Sequence, residues 1–169
     1  AVVGCPIEVN LYYRTPERVS GLLSRLSQQR DTVASEAAPG GWEGNWQEVV
    51  ESVSLLGAAA AHSISGLEGP RAKCCWEGIG QADVVLVPLE DGDRCEALVA
   101  AGKQVLVVDL NPLSRTAMTA TVTIVDEVSR AASELLGEVV SGDCEPGEWN
   151  NAAALNAALE IISDASAEA

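Results

Sequence analysis

Phenylalanine is absent from the 169-residue sequence, and histidine and methionine each occur once. Lysine occurs only at Lys73 and Lys103, so arginine carries most of the positive charge. No stretch reaches the length of a membrane span: the longest apolar run, Leu55–Ala61, is short and broken by Gly57. The N-terminus lacks the basic start of a signal peptide, so a cytoplasmic location is the expectation. With His62 alone and no Cys-x-x-Cys pair, the spacing of a zinc site is missing, and no residue is assigned as a metal ligand. Neither a Walker lysine motif nor G-x-G-x-x-G is present, which removes the generic nucleotide fingerprints. Bases are scarce: 10 against 25 acids leave a net charge of −15. Such a field repels nucleic acid and anionic membranes, and neither is expected as a partner. The missing phenylalanine, the two lysines and the abundant alanine favour a salt-adapted, halophilic surface over an ordinary acidic one.

What is present is a chain able to bury a core, 47% hydrophobic and of single-domain length. It opens directly on AVVGCPIEVNLYY without an initiator methionine, so it is expected to be part of a longer protein. Cys5, Cys74, Cys75, Cys95 and Cys144 make an odd count, and Cys74 and Cys75 are adjacent. Free thiols are expected.

Ile7–Tyr13 alternates and then turns apolar, which predicts a strand. Thr15, Pro16 and Glu17 then form a helix start, with Val19, Leu22, Leu23 and Leu26 at helical spacing, so a helix is predicted over 16–29. Residues 30–47 hold APGGWEGNW without a period and predict a loop insertion, in which Trp42 and Trp46 pack locally. A strand is expected near 52–56, and residues 62–80 read as a long functional loop. The continuous apolar run 82–88 predicts a strand covered on both faces. A helix over 93–101, strands over 104–110 and 121–125, and helices over 127–140 and 148–163 follow, before an acidic tail expected to fray. The alternation implies an α/β fold with a parallel sheet flanked by helices. The division expected is a nucleotide-binding core over 1–147 and a C-terminal helix and tail over 148–169.

In parallel sheets, ligands sit beyond the carboxyl ends of the strands. That rule selects the positions after Tyr13, Val87 and Val108. After Val87 comes PLEDGDR, with Glu90, Asp91, Asp93 and Arg94 around Gly92. After Val108 comes DLNPLSRT, with Asp109, Asn111, Ser114, Arg115 and Thr116. Both clusters should lie at one sheet edge. Arg115 suits a bidentate phosphate contact, Ser114 and Thr116 suit phosphate oxygens, and Asn111 suits an adenine or ribose edge. Asp91 or Asp93 suits magnesium held through water. Each also has a plainer reading: Asp93 as the cap of the following helix, Asp109 as a turn residue, Arg115 as a surface ion pair. Arg71 and Lys73 in EGPRAK, and Arg14 after the first strand, are further cations suited to an anionic substrate. His62 reads as a packed or surface histidine rather than a general base.

Four segments, EVNLYYRTPERV (8–19), ISGLEGPRAK (64–73), ADVVLVPLEDGDR with EAL (82–98) and DLNPLSRTA with TAT and TIVD (109–126), together resemble the archaeal 4-phosphopantoate–β-alanine ligases, also called phosphopantothenate synthetases. The likeness spans 7–130 in order and spacing. It implies a Rossmann-like core and a homodimer. It also implies that ATP, (R)-4-phosphopantoate and β-alanine give 4′-phosphopantothenate, AMP and diphosphate through an acyl-adenylate. ATP contacts carry over to Asp109, Leu110 and Asn111, to Arg115 and Thr116, and to Glu127 and Val128. Both reactants of the adenylation are anions, so positioning and charge neutralisation dominate. Arg14 is assigned to substrate, and Arg71, Lys73, Asp91 and Asp93 to catalysis, with Asp91 or Asp93 facing the β-alanine ammonium. Magnesium is expected with ATP. Family members place an N-terminal helical region and a first core strand before the equivalent of Ile7, and the sequence in hand opens after them. Cys95 stands where the family often has threonine, and Glu127 where asparagine is common. The rival readings are a phosphotransferase of pantoate metabolism and a truncated or degenerate nucleotide-binding module without turnover.

Overall fold

The computed structural model describes residues 1–88, 91–143, 145 and 147–167. Leu89 and Glu90 of the PLEDGDR segment, and Cys144, lie outside them. The chain divides into two compact units, one of residues 1–82 with 136–144 and one of 83–135 with 145–169. This division runs along other lines than the 1–147 and 148–169 split expected from sequence. The architecture is α/β, with parallel strands in sheets flanked by helices.

In the first unit, β1 (Ile7–Glu8) pairs in parallel with β2 (Leu55–Leu56). The strand predicted to reach Tyr13 is therefore much shorter, although the Val9 N–H still donates to the Leu56 carbonyl at 2.9 Å. Gly57 ends β2 with φ of 127°, and a β-carbon there would lie 2.7 Å from the Val9 carbonyl oxygen. Only glycine meets both demands. Between these strands, α1 (Pro16–Ser35) starts as its sequence dictates: the Thr15 side chain accepts from the Arg18 N–H at 3.3 Å, with Pro16 in the first turn. It runs beyond residue 29, into the segment predicted as a loop. Arg30 explains this, because its guanidinium donates to the Val53 carbonyl at 3.1 Å, and Ala34 is buried one turn on. The irregular part is then only a short link to α2 (Trp46–Glu51), capped by the Asn45 side chain. Trp42 and Trp46 do pack locally, edge to face at 5.7 Å.

Residues 62–80, predicted as one long loop, hold structure of their own. An antiparallel pair forms from β3 (His62–Ser63) and β4 (Lys73–Cys74), followed by a wide helical turn over Trp76–Gly80. His62 is exposed on this pair, with its ring edge-on to Trp76 at 5.1 Å.

The second unit is built on a three-stranded parallel sheet of order β5 (Val84–Val87), β6 (Gln104–Val108), β7 (Val122–Ile124). Central β6 buries Val105 and Val107 completely. Outer β5 was expected to be covered on both faces, but it leaves Val84 and Leu86 half exposed on one of them. Connecting helix α3 (Gly92–Ala100) buries Leu98 and Cys95, and the Cys95 thiol donates to the Thr116 carbonyl at 3.8 Å. A short helix, α4 (Arg115–Thr119), leads into β7, and α5 (Val128–Ser141) leaves it. The last helix, α6 (Asn151–Ala167), runs through the tail expected to fray. Asn151 fastens it: its side chain accepts from the Thr123 N–H and donates to the Ala117 carbonyl, both at 2.8 Å. Cys5 is exposed, Cys74, Cys75 and Cys95 are buried, and all four are thiols outside any disulfide. Among the described residues no helix is long and apolar enough to cross a membrane.

Candidate functional site

The parallel order β5-β6-β7 brings the carboxyl ends of three strands to one edge, and each is followed by a polar loop. After β6, the DLNPLSRT loop is folded by its own side chains. Asp109 accepts from the Asn111 N–H at 2.9 Å through one carboxylate oxygen and from the Ser114 hydroxyl through the other. Asn111 accepts from the Leu113 N–H at 3.0 Å, and the Ser114 oxygen accepts from the Ala117 N–H at 2.9 Å, capping α4. Asx turns of this kind hold a backbone open without a regular ladder. Leu110 projects outward and is largely exposed. Thr116 does not: it is fully buried, so its side chain faces the interior of the unit and not the loop surface.

After β5, the helix cap falls on Asp91 and not on Asp93. Asp91 accepts from the Arg94 N–H at 3.3 Å, and Asp93 occupies the first turn of α3. That register leaves Asp93 able to ion-pair with Arg115, which also lies 3.4 Å from Glu96. The Arg115 guanidinium crosses Gly92, where an added β-carbon would stand 2.7 Å from Nε and 2.9 Å from Nη2. One arginine thus ties two strand-end loops together, and it remains 57% exposed on its outer side. Glu96 was not singled out by the sequence, because helix spacing alone does not say which acid faces a residue nineteen positions on.

After β7, the Glu127 carboxylate accepts from the Ser129 N–H at 3.0 Å and the Arg130 N–H at 3.2 Å, holding the first turn of α5. These backbone donors keep its carboxyl below the usual range. The hydrogen bond from Arg130 does the same for Asp126, helped by the Glu127 N–H. Val128 follows, partly exposed at the start of α5. Among the described residues no three His, Cys, Asp or Glu side chains converge as a metal cage.

In the first unit, two segments far apart in sequence line one hollow of about 340 Å³: Tyr12, Tyr13, Arg14 and Thr15 from one, Glu68, Gly69, Pro70 and Arg71 from the other. The Arg14 guanidinium donates to the carbonyls of Gly57 and, at 3.4 Å, Val9. Arg71 lies over the Tyr12 ring at 4.7 Å. Lys73 is not part of the hollow's wall, and its ammonium reaches the Ser63 hydroxyl at 3.2 Å. The same unit holds a carboxylate that sequence reasoning passed over. Glu8 accepts from the N–H groups of Cys75 and Ile79, both at 2.8 Å, and a β-carbon on Gly78 would collide with it. The alternation of Ile7–Tyr13 gave no signal of it, since Glu8 occupies a polar position of that pattern. Burial pushes the neighbouring Cys75 thiol up, and the Glu8 charge adds to it, which disfavours the thiolate.

A sequence model of the phosphopantothenate/pantothenate synthetase family matches residues 1–164. The chain belongs to this family. It is 42% identical over 166 residues to a 4-phosphopantoate–β-alanine ligase of Thermococcus kodakarensis, covering 94% of this chain and 56% of that protein. Ligases of the same name from Thermococcus onnurineus and Methanospirillum hungatei are 43% identical over 125 residues and 40% identical over 129. Those matches cover 74% and 76% of this chain, and 40% and 44% of the relatives. The chain spans about half the length of the curated family members it matches.

Proposed function

We propose that this chain is the core of an ATP-dependent ligase that condenses (R)-4-phosphopantoate with β-alanine, giving 4′-phosphopantothenate, AMP and diphosphate. A carboxylate oxygen of phosphopantoate bonds to the α-phosphorus of ATP as the bond to diphosphate breaks. The β-alanine nitrogen then bonds to the acyl carbon, AMP leaves, and the nitrogen gives up its proton.

The observation that carries the nucleotide half is Arg115, which reaches from one strand-end loop to the next across Gly92. A guanidinium fixed at the carboxyl edge of a parallel sheet is where an anionic ligand gains most. In this reading Asp109, Leu110 and Asn111 contact the nucleoside, Arg115 and the Thr116 backbone contact phosphate, and Glu127 and Val128 border the same edge. Asp91 and Asp93, on either side of Gly92, offer carboxylates to the β-alanine ammonium. They are also oxygen donors of the kind magnesium takes through water, while ATP phosphates hold the ion directly.

The test is product identity. The complete protein incubated with ATP, 4-phosphopantoate and β-alanine should form AMP and the amide in equal amounts on chromatography. ADP as the sole nucleotide product would instead show phosphoryl transfer and overturn the ligase reading.

A further inference from the structure

We infer that Asn151, the first residue of the last helix, is a positioning residue for the nucleotide site: it holds α4 in place and so sets where Arg115 stands. This role rests on the proposed contact of Arg115 with ATP, while the linkage that performs it is a property of the fold.

The backbone of Ala117 is the junction. Ala117 is fully buried, so its polar groups depend on protein partners. Its N–H donates to the Ser114 hydroxyl oxygen at 2.9 Å, and that hydroxyl donates in turn to the Asp109 carboxylate. Its carbonyl accepts from two side chains, Thr123 Oγ1 and Asn151 Nδ2, both at 2.8 Å. Thr116 beside it is also fully buried, and its carbonyl accepts the Cys95 thiol at 3.8 Å. The helix is thus tied from α3, β7 and α6 together. At five residues it is too short to be stable on its own hydrogen bonds, so these ties decide its position.

Arg115 opens this helix, and its guanidinium has little slack. A β-carbon at Gly92 would stand 2.7 Å from its Nε, and Asp93 and Glu96 take it on the far side. A small shift of the α4 backbone therefore moves the one cation that spans the two strand-end loops.

The Asn151 amide fits in one orientation only. Its oxygen accepts from the Thr123 N–H at 2.8 Å and its nitrogen donates to the Ala117 carbonyl. Aspartate has the same shape and keeps the first bond, but it sets a carboxylate oxygen against the Ala117 carbonyl. The two acceptors repel, and α4 is pushed from its place while the bond to β7 survives.

The experiment is a double-mutant cycle on the complete protein, read as ATP affinity by calorimetry, for the unaltered protein, Asn151→Asp, Arg115→Ala and the two substitutions together. Asn151→Asp should weaken ATP roughly fivefold, part of the loss of one charged hydrogen bond. With Arg115 already replaced, it should weaken ATP by less than about twofold, because the group it positions is gone. A merely structural role would lower affinity by the same factor in both backgrounds, and that result would overturn the assignment, as would unaltered affinity in Asn151→Asp. Where circular dichroism shows Asn151→Asp unfolded, Asn151→Ala, which creates no repulsion, takes its place in the cycle. If the unaltered protein binds no ATP, or Arg115→Ala binds it equally well, the nucleotide reading falls and this role with it. If Arg115→Ala loses affinity and the Asn151 variant does not, only the role of Asn151 falls.

Discussion

Arg115 lies across Gly92 so closely that a β-carbon at position 92 would stand 2.7 Å from its Nε. The glycine is thus the floor on which the arginine rests, and the arginine holds Asp93 and Glu96 on the far side. Gly92→Ala should leave the helix intact, since the position has ordinary helical backbone, but must push the guanidinium away. ATP affinity should fall about tenfold, the scale of one charged hydrogen bond, with stability changed by less than about 1 kcal/mol. Arg115→Ala should lose at least as much affinity with the fold intact. Calorimetry and thermal melting separate the two effects, and unchanged affinity in both variants would remove Arg115 from the nucleotide site.

Glu8 supports the wide turn at Trp76–Gly80 through two backbone N–H groups. Glu8→Ala leaves both donors without an acceptor, which costs on the order of 3 kcal/mol. Glu8→Gln retains one carbonyl oxygen and should cost less. Denaturant unfolding measures the difference, and midpoints for both variants equal to that of the unaltered protein would show that neither bond matters.

Asn151 is the only side chain among the described residues that bonds both the Thr123 N–H and the Ala117 carbonyl. Asn151→Ala should destabilise the second unit by about 2 kcal/mol. Amide exchange at Thr123 should quicken while exchange in β1 and β2 does not change.

The start of α5 should respond to acid. Asp126 and Glu127 both have carboxyls lowered by hydrogen bonds, the first chiefly from the Arg130 side chain and the second from the Ser129 N–H. A carboxyl lowered in the folded state binds protons less readily there than in the unfolded chain. Its contribution is complete above the ordinary carboxylate range and disappears as pH falls through and below it. Protection of the Ser129 and Arg130 amides should therefore fall on acidification before that of β6. Glu127→Gln should remove the Glu127 share of this dependence.

Much of this was legible in sequence where the cause was local. The start of α1 is written in Thr15 and Pro16, and β6 in an unbroken apolar run. What could not be read depended on contacts distant along the chain. Residues 30–35 are helical because Arg30 finds Val53, a partner no spacing announces. The cap of α3 falls on Asp91, which leaves Asp93 to pair with Arg115, a partner twenty-two positions away that local spacing does not announce. Two strand-end loops could be placed at one edge from the order of elements, but not the arginine that joins them. The segments carrying Arg14 and Arg71 were each visible as cations beside turn residues, yet their convergence is a product of the fold.

The loop over 109–116 is stitched internally by Asp109, Asn111 and Ser114. A receptor already set in this way loses little chain freedom when it is filled. The arrival of a nucleotide there should be governed by collision and desolvation, so variants that loosen the stitching, such as Asp109→Ala, should slow association rather than merely hasten release.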